Sequence, residues 1–299
     1  MHAMPDPTPV VSVHPITLPA PDRGDDLQVR VSAPTTGREL PVIVFSHGFG
    51  QSATGYDPLA GFWASHGFVV IQPTHLDSRT LNLPSDDPRT PLIWRSRVED
   101  LKRALDHLDL LESSVPGLAE RLDRSRIAAA GHSWGAQTAS TLLGARVLDA
   151  DGDPGEDMSD PRVQAGVLLA VTGLGGADLS PFAAEHFPFM SPRFADMTTP
   201  ALVVAGDRDD SPMSVRGPDW FTDAYRLSPG GKSLLTLFGA EHSLGGITGH
   251  ESKETTDESP ERVALIQRVT WAYLRDALDL KDSTWPAPVD DTLGRLEST

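Results

Sequence analysis

Gly131-His-Ser-Trp-Gly135 sets a serine two residues from a glycine on each side, directly after the strand-like run 126–130. That spacing suits a nucleophile on a sharp strand-to-helix turn, where the serine backbone is strained and only small residues fit two positions away. The bland alternative is a serine that merely caps a helix. A serine hydroxyl is a weak nucleophile near neutrality, so it needs a histidine to take its proton and a carboxylate to orient that histidine. Both follow in the chain: Ala201-Leu-Val-Val-Ala-Gly-Asp-Arg-Asp209 reads as a strand running into an acidic turn, and Leu235-Thr-Leu-Phe-Gly-Ala-Glu-His242 as a strand running into a histidine. The order Ser133, Asp209, His242 is the one this kind of turn uses. Asp207 and Asp210 compete with Asp209, whose place three residues after Gly206 favours it; a neighbouring carboxylate can instead close a local Asx turn. His132 reads as structural and His47 as shaping its loop.

Acyl transfer to a serine passes through a tetrahedral oxyanion, which needs two backbone N–H donors aimed at the developing charge. The residue after the nucleophile, Trp134, supplies one. Ser46-His-Gly-Phe-Gly-Gln51 is built for close backbone approach, and its Phe49 N–H is the expected second donor, with Gly48 beside the substrate. Its alternative is a plain glycine-rich turn; neither phosphate-binding glycine pattern is present. His75, at another strand end, lines the cleft or sits as an ordinary core or surface histidine. Phe182 and Phe187 lie in the Phe-rich stretch 173–199, which is either an apolar flap over the cleft or a packed connection. Asp149, Asp151 and Asp153, with Asp157 and Asp160, approximate the oxygen spacing of a calcium loop, although Pro154 stands where such a loop needs glycine; a solvated acidic turn is the other reading.

These residues need elements to hold them. Residues 10–18 and 27–33 flank the turn-forming 21–26 and predict an antiparallel hairpin. Strands are then expected at 41–46, 67–72, 126–130, 165–171, 201–205 and 233–238. Helices are expected from Asp57-Pro58, with Asp57 as cap, along Val98 to Leu111 as about four turns, over 133–148, and from the cap Ser259-Pro260. Nearly all-apolar strands alternating with amphipathic helices predict an α/β fold with a mainly parallel sheet covered on both faces. Ligands of such sheets sit beyond the carboxyl ends of the strands, at the loops beginning at His47, His75, Gly131, Thr172, Gly206 and Gly239. Residues 1–280 read as one domain and 281–299 as a polar extension interrupted by Pro286 and Pro288.

Three segments carry a family resemblance: Val42-Ile-Val-Phe-Ser-His-Gly-Phe-Gly50, Ala64-Ser-His-Gly-Phe-Val-Val-Ile71 and Gly131-His-Ser-Trp-Gly135. In order and spacing, from about residue 40 to about 275, the chain resembles an α/β-hydrolase. It is most similar to the branch of platelet-activating-factor acetylhydrolases, chlorophyllases and polyester-degrading cutinases. The resemblance implies Ser133 as nucleophile, Asp209 as acid, His242 as base, and Phe49 and Trp134 as oxyanion donors. Ala136-Gln137 stands where many relatives carry a further glycine.

The expected activity is hydrolysis of small to medium apolar esters through an acyl-enzyme, with no metal or organic cofactor. Acyl transfer or thioester cleavage would share its first half-reaction, and a hydrolase-fold binding protein is the alternative outside enzymes. With 25 basic against 42 acidic residues and a net charge of −17, the chain repels nucleic acid at long range and disfavours anionic substrates, so a neutral ester is the expected partner. The absence of cysteine excludes disulfides and a thiol nucleophile. No apolar run reaches the ~20 residues of a membrane span. The Pro-rich start lacks a signal-peptide core, which predicts a cytoplasmic chain or a secreted one already trimmed. Oligomeric state is not readable.

Overall fold

The computed structural model describes residues 4–84, 86–149, 151–249 and 255–299. Its first two strands, β1 (Val10–Leu18) and β2 (Leu27–Pro34), form the antiparallel hairpin that alternation predicted, with Val13 opposite Val31 and Leu18 opposite Leu27. Strand β3 (Leu40–Ser46) is buried at every position, as a strand covered on both faces must be. After it come α1 (Asp57–Ser65), β4 (Val69–Pro73), α2 (Ile93–Asp106), α3 (Leu108–Ser114), β5 (Leu122–His132) and α4 (Trp134–Leu142). The remaining elements are β6 (Arg146–Val147), β7 (Val163–Leu169), α5 (Pro181–His186), β8 (Pro192–Arg193), β9 (Ala201–Gly206), α6 (Asp223–Leu227), β10 (Lys232–Leu237), α7 (Pro260–Ala277) and β11 (Gly294–Ser298).

Nine strands make one sheet in the order β1-β2-β4-β3-β5-β7-β9-β10-β11. The six from β4 to β10 run parallel, and antiparallel pairs close both edges. Helices cover it in two packed pairs, α1 with α7 and α2 with α4. Trp63 in α1 donates its indole N–H to Thr270 Oγ1 of α7 at 3.0 Å, so the first of these interfaces has a polar pin inside an apolar contact.

Three local expectations are corrected. The helix expected through Val98 to Leu111 is two, because the backbone leaves helical geometry at His107 (φ −111°, ψ 26°). The helix expected over 133–148 ends at Leu142: Gly144 turns at φ +109°, and a Cβ there would lie 2.7 Å from the Asp196 carbonyl, so the chain turns into β6. Asp57 does not cap α1. Tyr56 holds the cap position at φ 66°, and Asp57 is the first helical residue, its carboxylate 2.6 Å from Arg30 Nη1. Ser259 does cap α7, accepting from Arg262 N–H.

The tail beyond α7 returns to the sheet, where β11 covers the β10 edge through five paired positions from Ser233–Ser298 to Leu237–Gly294. An uncovered edge strand is a template for association. Deleting residues 292–299 is therefore expected to lower unfolding free energy by about 2–4 kcal/mol and to promote aggregation, read by urea titration and light scattering.

Candidate active site

Strand β5 ends at His132, and α4 starts at Trp134, leaving Ser133 alone to turn the chain at φ 56°, ψ −125°. Positive φ in a non-glycine residue is strained, and this one is held by the Ser133 N–H bond to the Leu169 carbonyl of β7 at 2.9 Å. The flanking glycines are required by space. A Cβ on Gly131 would lie 2.2 Å from the Gly135 carbonyl, and one on Gly135 would lie 2.0 Å from the Ser46 carbonyl of β3. The turn is thus wedged against the neighbouring strand end, which brings the 46–50 loop alongside Ser133.

Ser133 Oγ lies 2.8 Å from His242 Nε2, and His242 Nδ1 lies 2.9 and 3.1 Å from the two carboxylate oxygens of Asp209. The three residues come from the ends of β5, β9 and β10. Asp209 is 1% exposed, whereas the side chain of His242 is 44% exposed. The rival carboxylates go elsewhere: Asp207 accepts from Gly239 N–H, and Asp210 is exposed at the cleft wall. Among the described residues, no protein acceptor takes the amide hydrogen of Phe49 or Trp134, and their rings pack 5.7 Å apart.

His132 is buried beneath the turn. Gly48 N–H donates to Tyr56 Oη, which donates to His132 Nδ1, and His132 Nε2–H then donates to the backbone carbonyl of His242. The carbonyl can only accept, which fixes the tautomer. This relay joins the 46–50 loop to the backbone of the histidine at the serine, and neither Tyr56 nor the relay had a motif to announce it.

An apolar cleft of about 460 Å³ opens over Ser133 and His242, with Phe49, Trp134, Phe182 and Phe187 in its wall as expected, and Phe189, Met190, Met213 and Phe221 besides. The 173–199 stretch carries Phe182 on the short helix α5 and Phe187 and Phe189 just after it, while Phe194 is buried in the core. Gln137 ties it down, donating to the Phe189 carbonyl at 2.9 Å and accepting from Thr172. Two expected lining residues are corrected. Gly48 lies behind the cleft, where a Cβ would meet Tyr56 Oη at 2.9 Å. His75 is wholly buried, bonded to Ser46 Oγ and Asp100 at 2.9 Å each.

The calcium-loop reading of the acidic stretch is also corrected. Asp149 accepts from the amides of Asp151 and Asp153 in an Asx turn, Asp157 binds Ser159 N–H and Arg146, and Asp160 pairs with Arg162. Among the described residues no three acidic or histidine side chains converge to hold a cation.

Beneath the 46–50 loop lies a buried polar cluster. Ser46, His75 and Asp100 repeat the bonding of a catalytic triad, yet each is at most 1% exposed. Arg97 donates to Ser46 Oγ at 3.2 Å, so the serine hydrogen goes to His75 Nε2 and Nδ1–H to Asp100, whose other oxygen lies 2.9 Å from Arg23 Nε. Burial, with Arg97 as second cause, holds His47 down at about 4 and His75 well below its ordinary value. Burial, then the charge on His242, holds His132 down at about 3. Burial pushes Asp100 up to about 7 against the pull of Arg23 and Arg97.

A family model described as Chlorophyllase matches residues 13–147, a span that includes Ser133 and stops before Asp209 and His242. The platelet-activating factor acetylhydrolase of Bos taurus is 31% identical over 146 residues, 36% of this chain and 33% of that protein. That of Canis lupus familiaris is 31% identical over 172 residues, 45% of this chain and 35% of the relative. The matches thus span about a third of the length of these curated relatives. With the parallel sheet, the antiparallel N-terminal pair and these similarities, the chain is an α/β-hydrolase by fold. The match to the chlorophyllase model covers all three segments named above, which lie within residues 13–147.

The buried titrating groups set an acid limit. His47, His75 and His132 stay neutral in the folded chain but bind protons below about 6.5 when unfolded, so their stabilisation, full above that pH, is lost as pH falls. Asp100 acts oppositely, since its folded carboxyl binds a proton already near 7. Three against one leaves a net uptake of about two protons on unfolding. Stability is expected to fall by about 2–3 kcal/mol per pH unit between about pH 6 and 4.5, measured by denaturant titration across that range.

Proposed function

We propose that the chain is a serine carboxylic ester hydrolase. The single observation that carries this is the unbroken line Asp209–His242–Ser133, with bonds of 2.9 and 2.8 Å, ending in an apolar cleft. Ser133 Oγ attacks the ester carbonyl as His242 Nε2 takes its proton, while the buried Asp209 carboxylate holds Nδ1–H and stabilises the imidazolium. The amides of Phe49 and Trp134 receive the oxyanion. His242 then passes its proton to the leaving alcohol and draws one from water, which attacks the acyl-enzyme. The exposed flank of His242 gives water that access, which favours hydrolysis over transfer to another acceptor.

Activity is tested on p-nitrophenyl esters from acetate to palmitate. Ser133→Ala is expected to lower kcat by about 10⁴-fold or more. A folded Ser133→Ala variant that keeps turnover would overturn the nucleophile assignment.

The aromatic wall favours uncharged, medium-length acyl groups. Phe187 closes it by edge contacts with Phe49, Phe182 and Phe189. Phe187→Ala is expected to move the preferred acyl chain to greater length, read as kcat/KM across the same series.

A further inference from the structure

The acid, base and nucleophile leave one deep feature of the site without a role: a buried ion pair under the two oxyanion donors. Arg97 of α2 is 0% exposed, and Asp77, four residues beyond β4, is nearly as deep. Their side chains meet at 2.5 Å. A buried pair of this kind contributes little net stability against an apolar replacement, but it fixes geometry in several directions at once.

Those directions converge on the proposed oxyanion donors. Arg97 Nη2 donates to the His47 carbonyl, two residues before Phe49. Asp77 Oδ2 accepts from Gly50 N–H, one residue after Phe49, at 3.0 Å. The stretch containing the Phe49 amide is thus held on both sides by one ion pair. On the other donor, the Arg97 guanidinium lies 4.7 Å from the centre of the Trp134 ring. Its Nε donates to Thr138 Oγ1, and that hydroxyl donates to the Trp134 carbonyl at 2.9 Å. Loop and helix touch at Gly135, but their two amides must agree to within a fraction of an ångström, because an oxyanion is stabilised only by donors already in place.

We propose that Arg97 and Asp77 are positioning residues that set the Phe49 and Trp134 amides in register with each other. The inference rests on the serine-hydrolase reading. Neither residue lines the cleft, so their loss acts on the chemical step more than on substrate binding.

The test compares wild type, Ser133→Ala, Asp77→Asn and the double variant Asp77→Asn/Arg97→Gln, which leaves neither charge buried without its partner. Each is assayed on p-nitrophenyl butyrate and for binding of an alkyl trifluoromethyl ketone, which forms a tetrahedral adduct with a serine nucleophile. The double variant is expected to lose about 10- to 100-fold in kcat with KM within about threefold of wild type, and to lose ketone affinity in step. The pH profile of kcat is expected to stay in place, since His242 and Asp209 are untouched. Asp77→Asn keeps an acceptor for Gly50 N–H but leaves the Arg97 charge without its carboxylate, and as the independent second variant it is expected to lose kcat and ketone affinity in the same ratio. Full kcat and ketone affinity in a folded variant, or a loss confined to KM, would overturn the positioning role. Undiminished turnover by Ser133→Ala would instead overturn the serine-hydrolase reading itself.

Discussion

Two backbone segments meet where no side chain can come between them, and the site is organised around that contact. The turn at Ser133 holds its serine at positive φ with Gly135 against the Ser46 and His47 carbonyls, closer than a Cβ would allow. This approach couples the end of β3 to the start of α4, so the loop carrying Phe49 and the helix carrying Trp134 share one position. The parallel register of β3 on β5, which pairs Ser46 with Gly131, delivers the two segments to the same level. The strain at Ser133 is carried by the sheet, whose central strands are buried on both faces and leave little room to relax.

Access separates two chemically similar relays. Ser133–His242–Asp209 and Ser46–His75–Asp100 have nearly the same distances and the same order of donors and acceptors. The first opens to an apolar cleft and to water through the exposed flank of His242, and the second is shut beneath the loop. A serine that no substrate reaches acts as a joint. Its bonds hold the strand end from below, while His132 and Tyr56 hold the backbone of His242 from the side. The neutral histidines of these supports are also what makes the fold acid-sensitive, since each is partnered as an uncharged ring in a place where its cation is poorly solvated.

Much of the fold was legible because its signals are local. All-apolar strand runs, the Ser259 cap and the hairpin turn act within a few residues, and so does the glycine spacing around Ser133. Helix ends were less legible: the break at His107 and the stop at Gly144 depend on what the next segment packs against, and the apolar spacing continues past both. His75 shows the limit for site residues. Its position at a strand end suited a cleft residue, but whether a strand-end side chain faces the ligand or the layer below is set by the pleat and by the partners waiting there, here Ser46 and Asp100.

The sequence by itself determined the turn type, the order Ser133, Asp209, His242 and the strand ends that present them, because steric rules at glycine and hydrophobic periodicity need no knowledge of distant chain. It also pointed to the aromatic character of the cleft through Phe182 and Phe187. Only the tertiary structure decided which of three neighbouring aspartates meets His242, that Gln137 straps the 173–199 connection, and that Arg97 and Asp77 lie under the Phe49 and Trp134 segments. It likewise turned the acidic stretch at Asp149 into an Asx turn with arginine partners. Apart from that local Asx turn, these pairings join residues twenty or more positions apart with no spacing rule between them. They exist because sheet order and strand register carry the groups to one place, where a buried charge or polar group must find its partner within hydrogen-bond distance.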